Sequence, residues 1–275
     1  MKRIARAAYY IALWIVALIF FAPVLWIFVS AFKSKSELLS IPPKWIFTPT
    51  LQDLAQTFHT NLFLRNLINS VSISFIAVVI AIVVSFLAAY SFSRYRPRGT
   101  DFIMFLLLSI RMVPGAAVIV PIYLMYVAFG WTDSYVGMTL FYTMFSIPFS
   151  VWILKGFIDG VSVRFDETVL VSGGSRFQVM FRVILPQIKP GLVAAFIFNI
   201  IFTWNDFLVD FIVGGKDVTT IPVALATGLY TSLGVDWTYI ASVALVYTLP
   251  LIVIVFFFQK YLLVGMTFGT VRGEV

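Results

Sequence analysis

Six long apolar stretches, interrupted by very few charges, decide what this chain can fold into. They run near residues 9–32, 69–93, 102–129, 135–157, 191–213 and 239–263. Each is long enough to cross a hydrocarbon layer about 30 Å thick, which takes about 20 helical residues at ~1.5 Å apiece. A soluble domain carries about 25% charged residues. Here Asp, Glu, Lys and Arg make up 11% of 275 residues, and the mean hydropathy is +1.01. One soluble core of this size does not hide so much apolar surface. The runs are continuous and do not alternate, which excludes an outer-membrane barrel. The expectation is an all-α polytopic membrane protein: one transmembrane domain over residues 1–275 with six spans.

The charges that remain give sidedness. Lys2, Arg3 and Arg6 precede the first stretch, which is too long for a signal-peptide core and is followed by no small-x-small cleavage site. It reads as a retained helix. Three basic residues lie at the N-terminus, three in the Arg94–Arg98 turn, five between Lys155 and Lys189 and two in the C-terminal tail. The opposite set holds four between Lys33 and Arg65 and Lys216 alone, with Arg111 left inside a span. Basic residues concentrate on the cytoplasmic side, so both termini are expected there. The net charge of +7 is thereby a topology signal and no argument for nucleic acid. Cysteine is absent and His59 is the single histidine, so thiolate chemistry and a Cys- or His-rich metal site are excluded. No catalytic cluster is found. Gly215-Lys216 is followed by Asp217, with Asp210 where a first glycine belongs, so there is no P-loop.

Two connections exceed a turn. The external one, from Lys33 to about Arg65, contains Pro42, Pro43, Trp45 and Pro49 and is expected to be ordered at the membrane surface. The internal one, about residues 158–190, reads as a helix, a glycine bend and a second helix. Gly173 is placed to take a left-handed conformation, and Ser175 with Gln178 forms a capping box. Phe177, Met180, Phe181 and Ile184 then recur at helical spacing on one face. Pro186 and Pro190 are expected to end the element. By pattern alone this is either a linker helix packed under its own bundle or a knob offered to a soluble partner.

Glu167, Gly173 and Leu185-Pro186 keep the spacing E-A-A-x3-G-x9-I-x-L-P. In this the segment resembles the EAA loop of the integral membrane subunits of binding-protein-dependent ABC importers. Thr168 and Val169 stand for the two alanines, Ser172 for a frequent Asp, Gly174 for a small Ala and Val183 for the Ile. The tail from Phe258 to Gly273, Ala89-Tyr90 leading into Arg94-Tyr95-Arg96, and Trp204-Asn205-Asp206-Phe207 are similar to the maltose-type second permease of the carbohydrate-uptake branch. The resemblance implies a permease without a cofactor of its own. Its partners would be a second permease, two copies of a cytoplasmic ATPase that binds ATP and Mg, and an extracytoplasmic solute-binding protein. Its cargo would be a sugar, oligosaccharide or polyol. It also implies that Glu167, Gly173, Gly174, Phe177, Met180, Phe181, Leu185 and Pro186 couple to the ATPase, with the tail around residues 270–275 reaching toward the same interface. The rival reading is a self-contained channel or secondary transporter, but the inverted or parallel repeat that such a protein shows is not found.

Polar residues inside the spans are the remaining signal. Asn199, Thr203, Asp206 and Asp210 fall on one face of a helix drawn through the fifth stretch, with Trp204 and Asn205 beside them. A mid-membrane carboxylate costs at least ~2.5 kcal/mol, so it faces a cavity or a partner. Acceptors next to an aromatic face suit a hydroxyl-rich ligand; the same stripe also suits helix-to-helix glue. Arg111 in the third stretch, followed by Pro114, which can kink the helix, reads either as a gate residue or as half of an ion pair. Asp206 is the obvious carboxylate, although it lies across the midplane.

Overall fold

The computed structural model describes residues 2–59, 61–227 and 235–267. Every regular element among them is helical. In order these are α1 (Lys2–Ser30), α2 (Lys35–Leu38), α3 (Gln52–His59), α4 (Asn61–Arg94), α5 (Thr100–Met112), α6 (Gly115–Phe129), α7 (Tyr135–Asp159) and α8 (Val163–Val171). There follow α9 (Arg176–Gln178), a π-helical turn (Val179–Ile184), α10 (Leu185–Gln187), α11 (Lys189–Asn205), α12 (Leu208–Val213), α13 (Ile221–Thr227) and α14 (Trp237–Thr267). Four helices are long and apolar enough to cross a membrane, and up to six spans result if each of two sharply bent helix pairs makes one.

The chain divides into two compact units, residues 1–65 with 224–250, and residues 66–223 with 251–275. In the first, α1 is apolar all round and leaves Trp14 and Phe20 exposed, the pattern of a helix whose solvent is lipid. Ala31, Ala241 and Leu245 pack with Phe28, Phe32 and Leu54. The connection after Phe32 is ordered around Lys33, which is buried: its ammonium donates to the Lys44 carbonyl at 2.8 Å and lies 4.5 Å from the Trp26 ring. Trp45 meets Trp26 edge to face at 5.1 Å. The Ser34 hydroxyl and then Thr48 hold the Glu37 carboxyl below its usual range.

The second unit carries the candidate sites. Ala77, Ala81 and Ala89 on α4 are fully buried, small residues that let helix backbones approach. Gly191 does the same for α11 against α7, because a Cβ there would lie 2.5 Å from the Phe157 ring. One apolar cluster joins Phe86, Tyr90, Leu154, Phe157 and Ile158 to Val179, Ile184 and Ile188; another joins Ile73, Ala77, Tyr126, Met138 and Tyr142 to Val209, Val213 and Val218.

Two apolar stretches are not single helices. The third breaks at Val113-Pro114, where α5 and α6 meet at 95°. Pro114 has no N–H to give, and Val113 before it is extended at ψ 125°, so the helix ends outright where the sequence suggests a kink. The fifth breaks at Asp206-Phe207. Asp206 is extended, the Asn205 amide bonds back to the Ile201 carbonyl at 2.7 Å, and the Asp206 carboxylate accepts from the Val209 N–H at 3.0 Å to start α12. Short polar side chains that bond the local backbone compete with the helix, and here two adjacent ones prevail.

Candidate functional site

The break at Asp206 divides the polar stripe expected along one helix. Asn199 is buried in the α7–α11 contact, where its amide donates to the Ser150 hydroxyl and the Ala195 carbonyl, each at 2.8 Å. Its carbonyl oxygen is buried without a hydrogen-bond partner among the described residues. Thr203 is buried and bonds back to the Asn199 carbonyl at 3.0 Å, and Trp204 is buried beside it. Asp210, on α12, accepts from the Tyr142 hydroxyl and from Thr220 at 2.5 Å. Asn205 and Asp206 differ from these three: with Ile201, Phe202, Phe207 and Leu208 they border an open recess of about 440 Å³. The structure thus turns Asn199, Thr203 and Asp210 toward their own bundle and leaves Asn205 exposed at the recess, with Asp206 half-buried at its edge, its carboxylate bonded by the Val209 N–H and facing the Tyr142 hydroxyl.

Arg111 forms no ion pair among the described residues, so the expected carboxylate partner is not found and the Asp206 pairing is not made. Its guanidinium instead lies 4.3 Å from the Phe145 ring, 4.5 Å from Phe202 and 5.6 Å from Phe149, and donates to the Phe145 carbonyl at 3.3 Å. Aromatic faces attract a cation through the ring quadrupole, and a desolvated guanidinium gains about 2 kcal/mol there. Phe145 and Phe149 are one turn apart on α7, a pairing readable in the sequence; Phe202 comes from α11 and is not.

The 158–190 connection forms an elbow. The Ser162 hydroxyl accepts from the Arg164 N–H to open α8, and Gly173 closes it at φ +81°, the conformation that costs a residue with a Cβ about 1 kcal/mol or more. Gly174 is constrained by space instead, since a Cβ would meet Val169 Cγ1 at 2.5 Å. The capping box is formed: the Ser175 N–H donates to Gln178 Oε1 at 2.8 Å, and the Gln178 N–H to Ser175 Oγ at 3.3 Å.

The second arm differs from the expected α-helical face. Its middle winds as a π-helix, with the Leu185 N–H bonding the Met180 carbonyl five residues back. Burial then falls on Val179, Ile184 and Ile188, with Met180 and Leu185 partly covered. Phe177 is 66% exposed and Phe181 36%, their rings 4.3 Å apart, with Phe181 still touching Phe86. The arm ends at Gln187, one residue past Pro186, and bends by 72° into α11, whose first turn holds Pro190. Glu167 is exposed on α8 and Asp166 beside it is buried, a residue the sequence reading passed over. The tail at residues 270–275 lies outside the described residues.

The fold is that of ABC-transporter membrane subunits. It superposes on a bacterial ABC transporter described as involved in the import of the acidic polysaccharide alginate with a TM-score of 0.80, at 20% identity, over 94% of this chain and 97% of that one. The family follows from sequence. The chain belongs to the binding-protein-dependent transport system inner membrane components, whose model matches residues 81–267. Relatives include a trehalose transport system permease of Mycobacterium tuberculosis, 34% identical over 91% of this chain and 92% of that protein. A probable ABC transporter permease of Sinorhizobium fredii is 30% identical over 98% of both.

Proposed function

We propose that this chain is one of two permeases of an ABC importer for a sugar, oligosaccharide or polyol. Both termini and the 158–190 elbow lie in the cytoplasm, and a separate ATPase pair, which holds ATP and Mg, works on the elbow. An extracytoplasmic binding protein delivers the cargo. The observation that carries the reading is the elbow itself. Its apolar anchors Val179, Ile184 and Ile188 are buried, while Val171, Phe177 and Phe181 are left exposed beside exposed Glu167. A linker packed only under its own bundle has no use for exposed phenylalanines; a knob seated in a soluble subunit does. The carbohydrate class rests on the trehalose permease among the relatives and on the recess where Asn205 and Asp206 lie beside Phe202 and Phe207, acceptors next to aromatic faces.

Glu167→Lys combined with Gly173→Pro tests the docking. Proline fixes φ near −65°, incompatible with the +81° of Gly173. Copurification of the ATPase is expected to be lost while the bundle stays folded; an ATPase that still binds and turns over normally refutes the reading. For the pathway, Asp206→Ala is expected to weaken uptake across a sugar panel and to spare assembly. Unchanged uptake with an unstable complex assigns Asp206 to structure instead.

A further inference from the structure

Resting on the reading that the elbow seats an ATPase, we propose that Arg94 and Asp166 are a positioning pair. They lock the first arm of the elbow to the ends of α4 and α7, so that a displacement of the elbow is delivered to both membrane helices as one movement. Adjacent acids on α8 have opposite fates: Glu167 is exposed, and Asp166 is 2% exposed. Arg94, the last residue of α4, holds Asp166 through Nε at 2.8 Å and, more weakly, through Nη2 at 3.5 Å. Its other donors are also used. Nη1 donates to the Ile158 carbonyl at 3.3 Å, and Nη2 to the Val161 carbonyl at 2.9 Å, at and just past the end of α7.

One planar guanidinium therefore ties three elements, a task for which an ammonium has the charge and not the fork. A second tie lies alongside. Ser93 donates to Asp159 at 2.6 Å, and Lys155 donates to the other oxygen of the same carboxylate at 2.8 Å. Without the Arg94 contact, α8 packs chiefly on the elbow's own second arm and, through Val169 and Leu170, on the cluster beneath. That cluster contains Phe86 and Tyr90 of α4 with Leu154 and Ile158 of α7, so α8 would then follow the two helices through apolar contact alone, which holds distance without fixing register. A buried ion pair adds little net stability over apolar packing, and its best-attested use is fixing register. Register between elbow and helices is what coupling requires.

The test uses the complete importer in proteoliposomes, and the cysteine-free chain makes it clean. Spin labels on Thr168→Cys and Arg98→Cys, both exposed positions, report the distance between α8 and the end of α4 in the otherwise native protein. The distance is expected to stay constant within about 2 Å, the scale of small helix shifts, between nucleotide-free and ATP-trapped states. A larger change overturns the proposal. The isosteric Asp166→Asn is then expected to leave ATPase docking intact, read by crosslinking from the exposed Ser172→Cys, and to lower substrate imported per ATP about tenfold, as substitutions in coupling networks do. Asp166→Asn complexes that import per ATP as the parent does overturn it. Absence of the Ser172→Cys crosslink in the chain with Asp166 intact marks a different failure, that of the docking reading itself.

Discussion

Asp210 shows how much of a site a single residue discloses. The sequence marks it as a carboxylate that must find a partner inside the membrane, because the alternative is costly. It does not say which partner, since Tyr142 on α7 and Thr220 beyond α12 are brought there only by the fold. Removing the acceptor orphans the buried Thr220 hydroxyl at about 1–3 kcal/mol and takes from the buried Tyr142 hydroxyl one of the two carboxylates it faces, Asp206 being the other. Asp210→Ala is therefore expected to lower the melting temperature in detergent clearly, and Thr220→Val, which removes one donor, much less. Arg111 yields the opposite expectation. Its cation has three rings and no counter-ion among the described residues. Arg111→Met keeps the length and gives up a half-buried charge without a counter-ion among the described residues, so the folded bundle should melt at the same temperature or higher. Phe145→Leu in the parent, which deprives the cation of a face, should cost about 2 kcal/mol. Comparison of the two thermal shifts checks the assignment.

At the scale of elements, the first, second, fourth and sixth apolar stretches were legible as helices able to cross a membrane because length and hydropathy alone define a span, while the breaks in the third and fifth were not. The left-handed glycine and the capping box of the elbow were legible because each is a local chemical requirement. The break at Asp206 was signalled by Asn205-Asp206, yet an apolar run drawn through it hides the signal. The register of the second arm was not readable. An α-helix puts Ile184 on one face with Phe177 and Phe181 and leaves Val179 on the other, whereas a π turn brings Val179 and Ile184 together, and only contact with Phe86, Leu154 and Ile158 decides between the two. Deleting Met180 should rewind Val179–Ile184 as an α-helix and rotate everything on its N-terminal side by about 100°. Loss of ATPase copurification from a bundle that still melts normally is the expected result. Unimpaired copurification would show that the direction in which Phe177 points is immaterial.

For the whole molecule, the distribution of Lys and Arg predicts sidedness, and a chain without cysteine offers a direct check. Single cysteines at His59 and Ser172 occupy exposed positions on the two sides of the proposed topology. A membrane-impermeant maleimide should label His59→Cys in spheroplasts, where the outer face of the membrane is open, and Ser172→Cys only after permeabilisation. The reverse pattern inverts the orientation and removes the ATPase from the elbow.

The Arg94–Asp166 clasp also bears on how the protein is made. Its two halves are 72 residues apart in the chain, separated by α5, α6 and α7. At about 5–20 residues per second, roughly 4 to 14 s of translation pass between the emergence of one and of the other. Throughout that interval Arg94 is an unpaired cation at the end of a newly inserted helix, the condition in which positive charge holds a segment on its own side of the membrane. The same side chain would first serve the insertion machinery as a topogenic anchor and only afterwards the finished transporter as a joint. Truncated nascent chains ending before and after Asp166 would therefore differ in how firmly α4 keeps its orientation when Arg94 is replaced.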